Sequence, residues 1–450
     1  MVEHWLPKPR VAGSSPVYRS MTPVLLILFL VGYVLIATEH LTRVNKSAVA
    51  MFLAVLGWIV IGADGFKNNM PFICNVALFM LATMSIVEVL NANGCFDFLT
   101  TWMRQRSGRA ALWSFVGFTF LLSANLDNLT TTIIMLYVMR KIVASRQQRM
   151  YIGSAIVIAA NCGGCFTVIG DSTSLMLWSK HAVTPTNYAF ALAIPALVAT
   201  AIPTYLISLK LPHSLELVSL RSSFRGDDNV LGRWQRVMMF VVGVCGLWFI
   251  PTFHRLTDLP PFLGAFCVLA VFWVINEIIN LRRMQCDLPE QRLLPRSLQY
   301  ENMQIVLFFI GVALAVSVLE QSGVLADAAQ WLDEYVHNVY AVSLALGLIS
   351  AFMDNIALVM STISMYPVVD AAAASTRYLE GFTVDGMYWN LVAYGASVGG
   401  CLLPIGTVAG YALMRHEEVS VWWWFRMISG KVLVGWLAGL GVYGIIEYFS

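Results

Sequence analysis

Charge is what this chain has least of. Of its 450 residues only 12% are Asp, Glu, Lys or Arg, against about a quarter in an ordinary soluble domain. Twenty-eight basic and 26 acidic side chains cannot clothe a water-soluble body of this size, so a soluble enzyme is excluded. A formal net charge of +2 leaves no electropositive footprint for a nucleic acid. The eight cysteines are scattered through apolar segments or at their edges, which argues against a disulfide framework and for thiols used as small packing residues. The first twenty residues lack the apolar core of a signal peptide. With Pro7, Pro9, Gly13 and Pro16 among polar neighbours, residues 1–20 read as a disordered leader, and Met21 is an alternative start.

Hydrophobicity is there instead, at 58% of residues and a mean hydropathy of +0.71. The expected fold class is an all-α polytopic membrane protein. Apolar runs long enough for a bilayer, which needs about 17 to 25 residues, fall near 21–38, 47–63, 71–92, 151–180, 187–209, 236–251, 260–280, 301–319, 386–414 and 426–448. That makes ten spans. Two further apolar stretches, 110–139 and 341–366, each hold an Asp-Asn pair near the middle.

Loop charges decide how those two stretches run. Arg104, Arg106 and Arg109 precede the first, and Arg140, Lys141, Arg146 and Arg149 follow it. A single crossing would strand one basic cluster outside, so a re-entrant hairpin from the cytoplasm fits the positive-inside rule better. The second stretch lies among Asp327, Asp333, Glu334, Asp370, Glu380 and Asp385, which puts its mouth on the outer face. With these choices 21 basic residues face inside and only Lys67, Lys180, Arg255 and Arg377 face outside; the other three belong to the leader.

The motifs repeat. SANLDN at Ser123 returns as SAFMDN at Ser350, 227 residues on; Trp102 and Trp331 match at 229; Gly163-Gly164-Cys165 and Ile169-Gly170 return as Gly399-Gly400-Cys401 and Ile405-Gly406 at 236. Five spans per half, an odd number, turn the second copy upside down, as in many secondary transporters. The expected organisation is repeat 1 over 21–209, a charged cytoplasmic linker over 210–236, and an inverted repeat 2 over 237–450. Each repeat holds three scaffold spans, one hairpin, one broken helix (151–180 or 386–414) and a closing span.

Charge at bilayer depth costs about 2.5 to 3.5 kcal/mol on insertion scales and persists where it meets a polar cavity. Asp127, Asp171 and Asp354 are therefore the informative residues. Asp127-Asn128 and Asp354-Asn355 sit near the hairpin tips, where oxygen groups suit a hard cation, with Ser123, Asn125, Thr130, Thr131, Thr132, Ser350 and Ser361 around them. The plainer reading is helix capping, and the two can coexist. Gly163, Gly164 and Gly170, and in the second copy Gly399, Gly400 and Gly406 with Pro404, are expected to break their spans. Close helix packing would also use glycine, but it leaves Asn161, Asp171 and Thr173 unexplained. Thr407 aligns with Asp171, so the site should be asymmetric. None of the three motifs contains a Lys or Arg, so no fixed cation is expected beside the carboxylates. Cys162 and Cys165 read as packing residues, and Glu88 is a secondary position.

In order, SANLDNLTTTIIM, NCGGCFTVIGDSTSLMLW, SAFMDN and YGASVGGCLLPIGTVAG resemble the NhaD-type sodium/proton antiporters of the ion transporter superfamily, over nearly the whole chain after Met21. The resemblance implies exchange of cytoplasmic Na+ or Li+ for external H+, a role in pH homeostasis, no cofactor, and a homodimer in the inner (plasma) membrane of a bacterium. It implies an elevator, in which hairpins and broken helices move against the scaffold. It carries functional weight to Asp127, Asn128, Asn161, Asp171, Thr173, Ser350, Asp354, Asn355 and, by position, Ser397, with Na+ at Asp127 and Asp354. Two rivals remain at this point. An anion or carboxylate transporter of the same fold would be repelled by Asp at both tips, and an intramembrane aspartyl protease would need a Gly-x-Gly-Asp context that is missing.

Overall fold

In the computed structural model residues 16–42, 44–62, 65–104, 107–218, 232–284, 300–336, 338–373 and 377–449 are described. Most of the leader and the linker residues 219–231 lie outside them. The leader is shorter than its composition implied. Pro16 to Ser20 already form the first turn of helix α1 (Pro16–Ala37), because proline at the first helical position gives up an N–H that no helix end uses.

Among the described residues every regular element is helical, with only three isolated β-bridges. Six of the described helices are long and apolar enough to cross a membrane. This is an all-α multi-pass membrane protein.

Six helices form one bundle. They are α1, α2 (Lys46–Ile61), α3 (Phe66–Ala92) and, from the second half, α10 (Arg233–Thr257), α11 (Pro261–Met284) and α12 (Tyr300–Gln321). Packing crosses between the halves: α2 lies on α12 and α3 on α10, α11 and α12, while α10 also packs on α11 and α1 stays on α2. Small residues set how closely they approach; a Cβ on Gly311 would stand 2.7 Å from the Met51 backbone nitrogen. Two short helices that the apolar runs did not reveal follow α3 and α12: α4 (Asp97–Met103) and α13 (Val324–Tyr335). Trp102 and Trp331 sit on them, both exposed.

Each apolar stretch with an Asp-Asn pair is a helical hairpin. The first joins α5 (Gly108–Ser123) to α6 (Asn128–Ile142), the second α14 (Val339–Ser350) to α15 (Asn355–Met365). Both ends of the first hairpin are tied to one extended strap. Gly108 N donates to His213 O at 3.0 Å, Val218 N to Ile142 O at 3.0 Å and Ala144 N to Glu216 O at 2.7 Å. Six residues of strap span at most about 20 Å, so α5 starts and α6 ends on one side of the molecule. The second hairpin is tied likewise: Val369 N donates to Phe382 O at 2.9 Å, and the neighbouring Gly381 lies against Val339.

Broken helices follow the hairpins. α7 (Arg146–Cys165) stops, the chain turns through Phe166 to Asp171, and α8 (Ser172–Ser179) resumes. In the second half α16 (Met387–Tyr394) loosens into a π-turn (Gly395–Gly399) and a 3-10 turn (Gly400–Leu402) before α17 (Val408–Glu417). Gly163 and Gly164 do not break their helix; they stay within α7. A Cβ on Gly163 would lie 2.4 Å from the Phe120 carbonyl oxygen and one on Gly164 2.7 Å from that of Gly170, so close approach to α5 and to the returning chain is what they permit. Gly170 lies in the interruption itself. The closing helices α9 (Pro185–Ser208) and α18 (Val421–Phe449) pack on each other, with Gly435 and Gly439 against Pro203 and Pro195.

Candidate functional site

Both hairpins present their Asp-Asn pair at the point where the second helix begins, and both aspartates cap that helix. Asp127 Oδ2 accepts from Thr130 N at 3.1 Å and Thr130 Oγ1 at 3.3 Å; Asp354 Oδ1 accepts from Ile356 N at 3.0 Å. The capping reading is therefore realised at each tip. What surrounds the caps differs.

At the first tip the asparagine turns toward a carboxylate. Asn128 Nδ2 donates to Asn161 Oδ1 at 3.1 Å and approaches Asp171 Oδ1 at 3.4 Å. Asp171, 3% exposed, is the N-cap residue of α8 and gathers hydroxyls from both halves of the chain: Thr173 Oγ1 and Ser397 Oγ each donate to its Oδ2 at 2.8 Å, and Ser172 Oγ to its Oδ1 at 3.3 Å. Asn161 reaches the other way, with Nδ2 toward Thr407 Oγ1 at 3.4 Å. Five of the nine expected residues, Asn128, Asn161, Asp171, Thr173 and Ser397, thus form one buried polar cluster with Thr407 between the two helix breaks. Thr407, which only aligned with Asp171, is a member in its own right.

A cleft leads to this cluster. It is lined by Thr83, Met84, Asn125, Asp127, Thr130 and Asp171 among others. The buried Asn125 Oδ1 has no hydrogen-bond partner among the described residues. An unpaired carbonyl oxygen costs about 1–3 kcal/mol when buried, and Asn125 lines the same cleft as Asp127 and Asp171.

The second tip is wired to backbone. The Asn355 amide, oriented by its acceptors, donates to Gly406 O at 3.0 Å and to Ala396 O and Ser350 Oγ at 3.2 Å each. Ser350 Oγ donates to Ala396 O at 2.7 Å, and its counterpart Ser123 Oγ donates to Ala160 O at 2.6 Å. Asp354 does not share the cleft of Asp127. It lines a separate vestibule with Tyr33, Glu39, Lys46, Thr407 and Tyr411. The expectation that no cation stands beside the carboxylates fails here, since Lys46 Nζ lies 3.6 Å from Asp354 Oδ2. Lys46 is 308 positions earlier, at the start of α2, so no local motif could have revealed it.

Hairpins and broken helices are locked together. Glu417, buried at the end of α17, pairs with Arg140 Nε at 2.6 Å and Arg149 Nε at 2.9 Å, both near the base of the first hairpin. Cys162, Cys165 and Cys401 are buried free thiols, in keeping with packing roles.

The profile of the citrate transporter family (CitMHS) matches residues 33–393, four fifths of the chain. The protein belongs to this family of membrane transporters. Within reach of it lie relatives bearing the antiporter name. Sodium/proton antiporter 1 of Arabidopsis thaliana is 35% identical over 436 residues, covering 93% of this chain and 71% of that one. The Na(+)/H(+) antiporter NhaD of Vibrio cholerae is 26% identical over 431 residues, covering 86% and 84%. The resemblance to NhaD-type antiporters is one of family. In fold, the chain is similar to the YdaH transporter of Alcanivorax borkumensis, with a TM-score of 0.52 at 13% identity over 90% of this chain and 99% of that one. As a transporter of this family the protein is not an enzyme, and the protease reading falls away.

Proposed function

We propose that the protein is a secondary antiporter that exchanges cytoplasmic Na+, or Li+, for external H+. The observation that carries this reading is Asp171, a buried carboxylate held by Asn128 and Thr173 of the first half and Ser397 of the second. A cation bound there between Asp127, Asp171 and Asn125 would neutralise carboxylates that burial otherwise penalises, and so would a proton. A site that holds one or the other, but not both, couples the two ions without a separate proton gate. The experiment is Na+-dependent proton movement in everted vesicles, with Li+ and K+ as comparison ions. Absence of cation-dependent proton flux refutes the proposal.

The moving parts follow from the same reading. Matching serine-to-carbonyl bonds at the two tips, and Gly163 against Phe120 where Gly399 lies against Gly347, support an inverted repeat of 21–209 and 237–450. The hairpin ends tied by single straps support re-entry from opposite faces. Glu417 joined to Arg140 and Arg149 supports one rigid transport domain of hairpins and broken helices, which slides as an elevator against the six-helix scaffold. Homodimerisation and a plasma-membrane, bacterial setting belong to the same proposal. The family takes its name from citrate transport, and citrate uptake by the same vesicles is the second arm of the test. Two carboxylates on one cleft disfavour it.

A further inference from the structure

Among the described residues, polar contacts join the scaffold and its short helices to the hairpins at several points, Tyr366 OH to Asp333 at 3.1 Å among them. Glu320 Oε2 accepts from Ser364 Oγ at 2.9 Å, Lys141 Nζ lies 3.6 Å from Asp97, and Lys46 Nζ lies 3.6 Å from Asp354 Oδ2. Only the last uses a carboxylate at a hairpin tip. Lys46 belongs to the scaffold in every respect: it opens α2 behind its N-cap Asn45, its backbone N–H approaches Glu39 Oε1 at 3.4 Å, and its ammonium stands 4.3 Å over the Phe308 ring of α12. Lysine and aspartate side chains are 19% and 10% exposed, and both line the vestibule together with Thr407. The pair is partly wet and thus separable, and it cannot survive any sliding of the hairpins past α2.

We propose that Lys46 is a latch for the empty carrier: it holds the transport domain in the present position while Asp354 is ionised, and lets go when Na+ or H+ neutralises that carboxylate. This rests on the exchange and elevator reading above. The consequence is a coupling rule. An antiporter leaks if its unloaded form crosses, because one ion then moves without the other. A scaffold cation facing a carboxylate of the moving part penalises the crossing of the unloaded, ionised form and spares the neutralised one. Lys46 also competes with Na+ for Asp354 from the vestibule side. Tyr33, Glu39 and Tyr411 share that vestibule, and Glu39 is the other charged group lining it.

The test uses the full-length protein reconstituted in proteoliposomes, with proton and 22Na+ fluxes measured together for wild type, Lys46→Met and Lys46→Arg. Loss of a partly exposed ion pair is worth up to about 1 kcal/mol, a factor of about five in an equilibrium. In Lys46→Met the latch predicts about fivefold more Na+-independent proton leak, a lower half-saturating Na+ concentration, and fewer protons moved per Na+; Lys46→Arg keeps the wild-type ratio. A Lys46→Met variant whose ratio and leak match wild type, whether its turnover is normal or slowed, overturns the latch. If that variant is missing from the membrane, Lys46→Gln takes its place with the same outcomes. Failure of the wild type itself to exchange Na+ for H+ is a different result: it refutes the function rather than the latch.

Discussion

At the first hairpin tip Asn128 turns toward a carboxylate, while at the second Asn355 turns toward two backbone carbonyls and a serine hydroxyl. The Asp-Asn pairs are the same in sequence and cap their helices in the same way. Their difference comes from what the opposing helix break offers. The α7–α8 break ends in Asp171, whereas the α16–α17 break ends in Thr407, which caps α17 by accepting from Gly410 N at 3.1 Å. The first break thus adds a second carboxylate beside its hairpin tip, whereas the second break adds a hydroxyl and leaves Asp354 facing Lys46. Two similar half-sites differ in what stands against their aspartate: a second carboxylate at one, a lysine of the six-helix bundle at the other.

The comparison breaks first at the carboxylates. Asp171→Asn and Asp127→Asn should abolish exchange, with losses of about 100-fold or more, since truncating one partner of a buried charged cluster costs about 2–5 kcal/mol. Asp354→Asn should abolish coupled exchange as well, but with measurable uncoupled flux, because it removes the group that Lys46 faces. Equal, complete silence of all three, with no leak in Asp354→Asn, would make the tips equivalent. The measurement is Na+-driven proton flux at matched protein levels in the membrane.

A finer distinction lies in the asparagines. Asn128→Ala should raise the half-saturating Na+ concentration about tenfold, the worth of one good hydrogen bond to a charged group. Asn355→Ala should instead destabilise the protein by about 1–3 kcal/mol, since it leaves carbonyls at Ala396 and Gly406 without their donor, and a lower melting temperature in detergent would report it. The reverse pattern would exchange the roles of the tips. Glu417→Gln falls between these two in kind: it weakens the ion pairs with the partly exposed Arg140 and Arg149 and should cost about 2 kcal/mol of stability, leaving Na+ affinity unchanged.

Smallest is Ser397→Ala, which removes one donor to Asp171 and should weaken Na+ binding about fivefold. Proton and cation competition has its own signature. The apparent Na+ affinity of the wild type should rise with pH as protons leave the carboxylates, and the slope should vanish in any Asp171→Asn variant that retains binding.

Much of this was legible in the residues. The positions of both hairpins followed from two apolar stretches with a polar pair at the middle and basic or acidic flanks. Asn161 and Asp171 stood out because polar groups in an apolar span need a reason. The glycine pair at 163 and 164 was misread, because glycine serves both to break a helix and to admit a neighbour, and composition does not say which. The short helices carrying Trp102 and Trp331 were invisible because seven or twelve amphipathic residues make no long apolar run.

By itself the sequence determined that the chain lives in a membrane, that its motifs recur, and which carboxylates lie in apolar segments, since hydropathy and the cost of burying charge act locally along the chain. Only the tertiary structure decided that Asp127 and Asp354 open on different cavities, that Ser397 and Thr407 of one half complete the polar cluster of the other, and that Lys46 stands against Asp354. The physical reason is common to all three. Each depends on groups between about 220 and 310 residues apart meeting across a packed interface, and no spacing rule within a motif reaches that far.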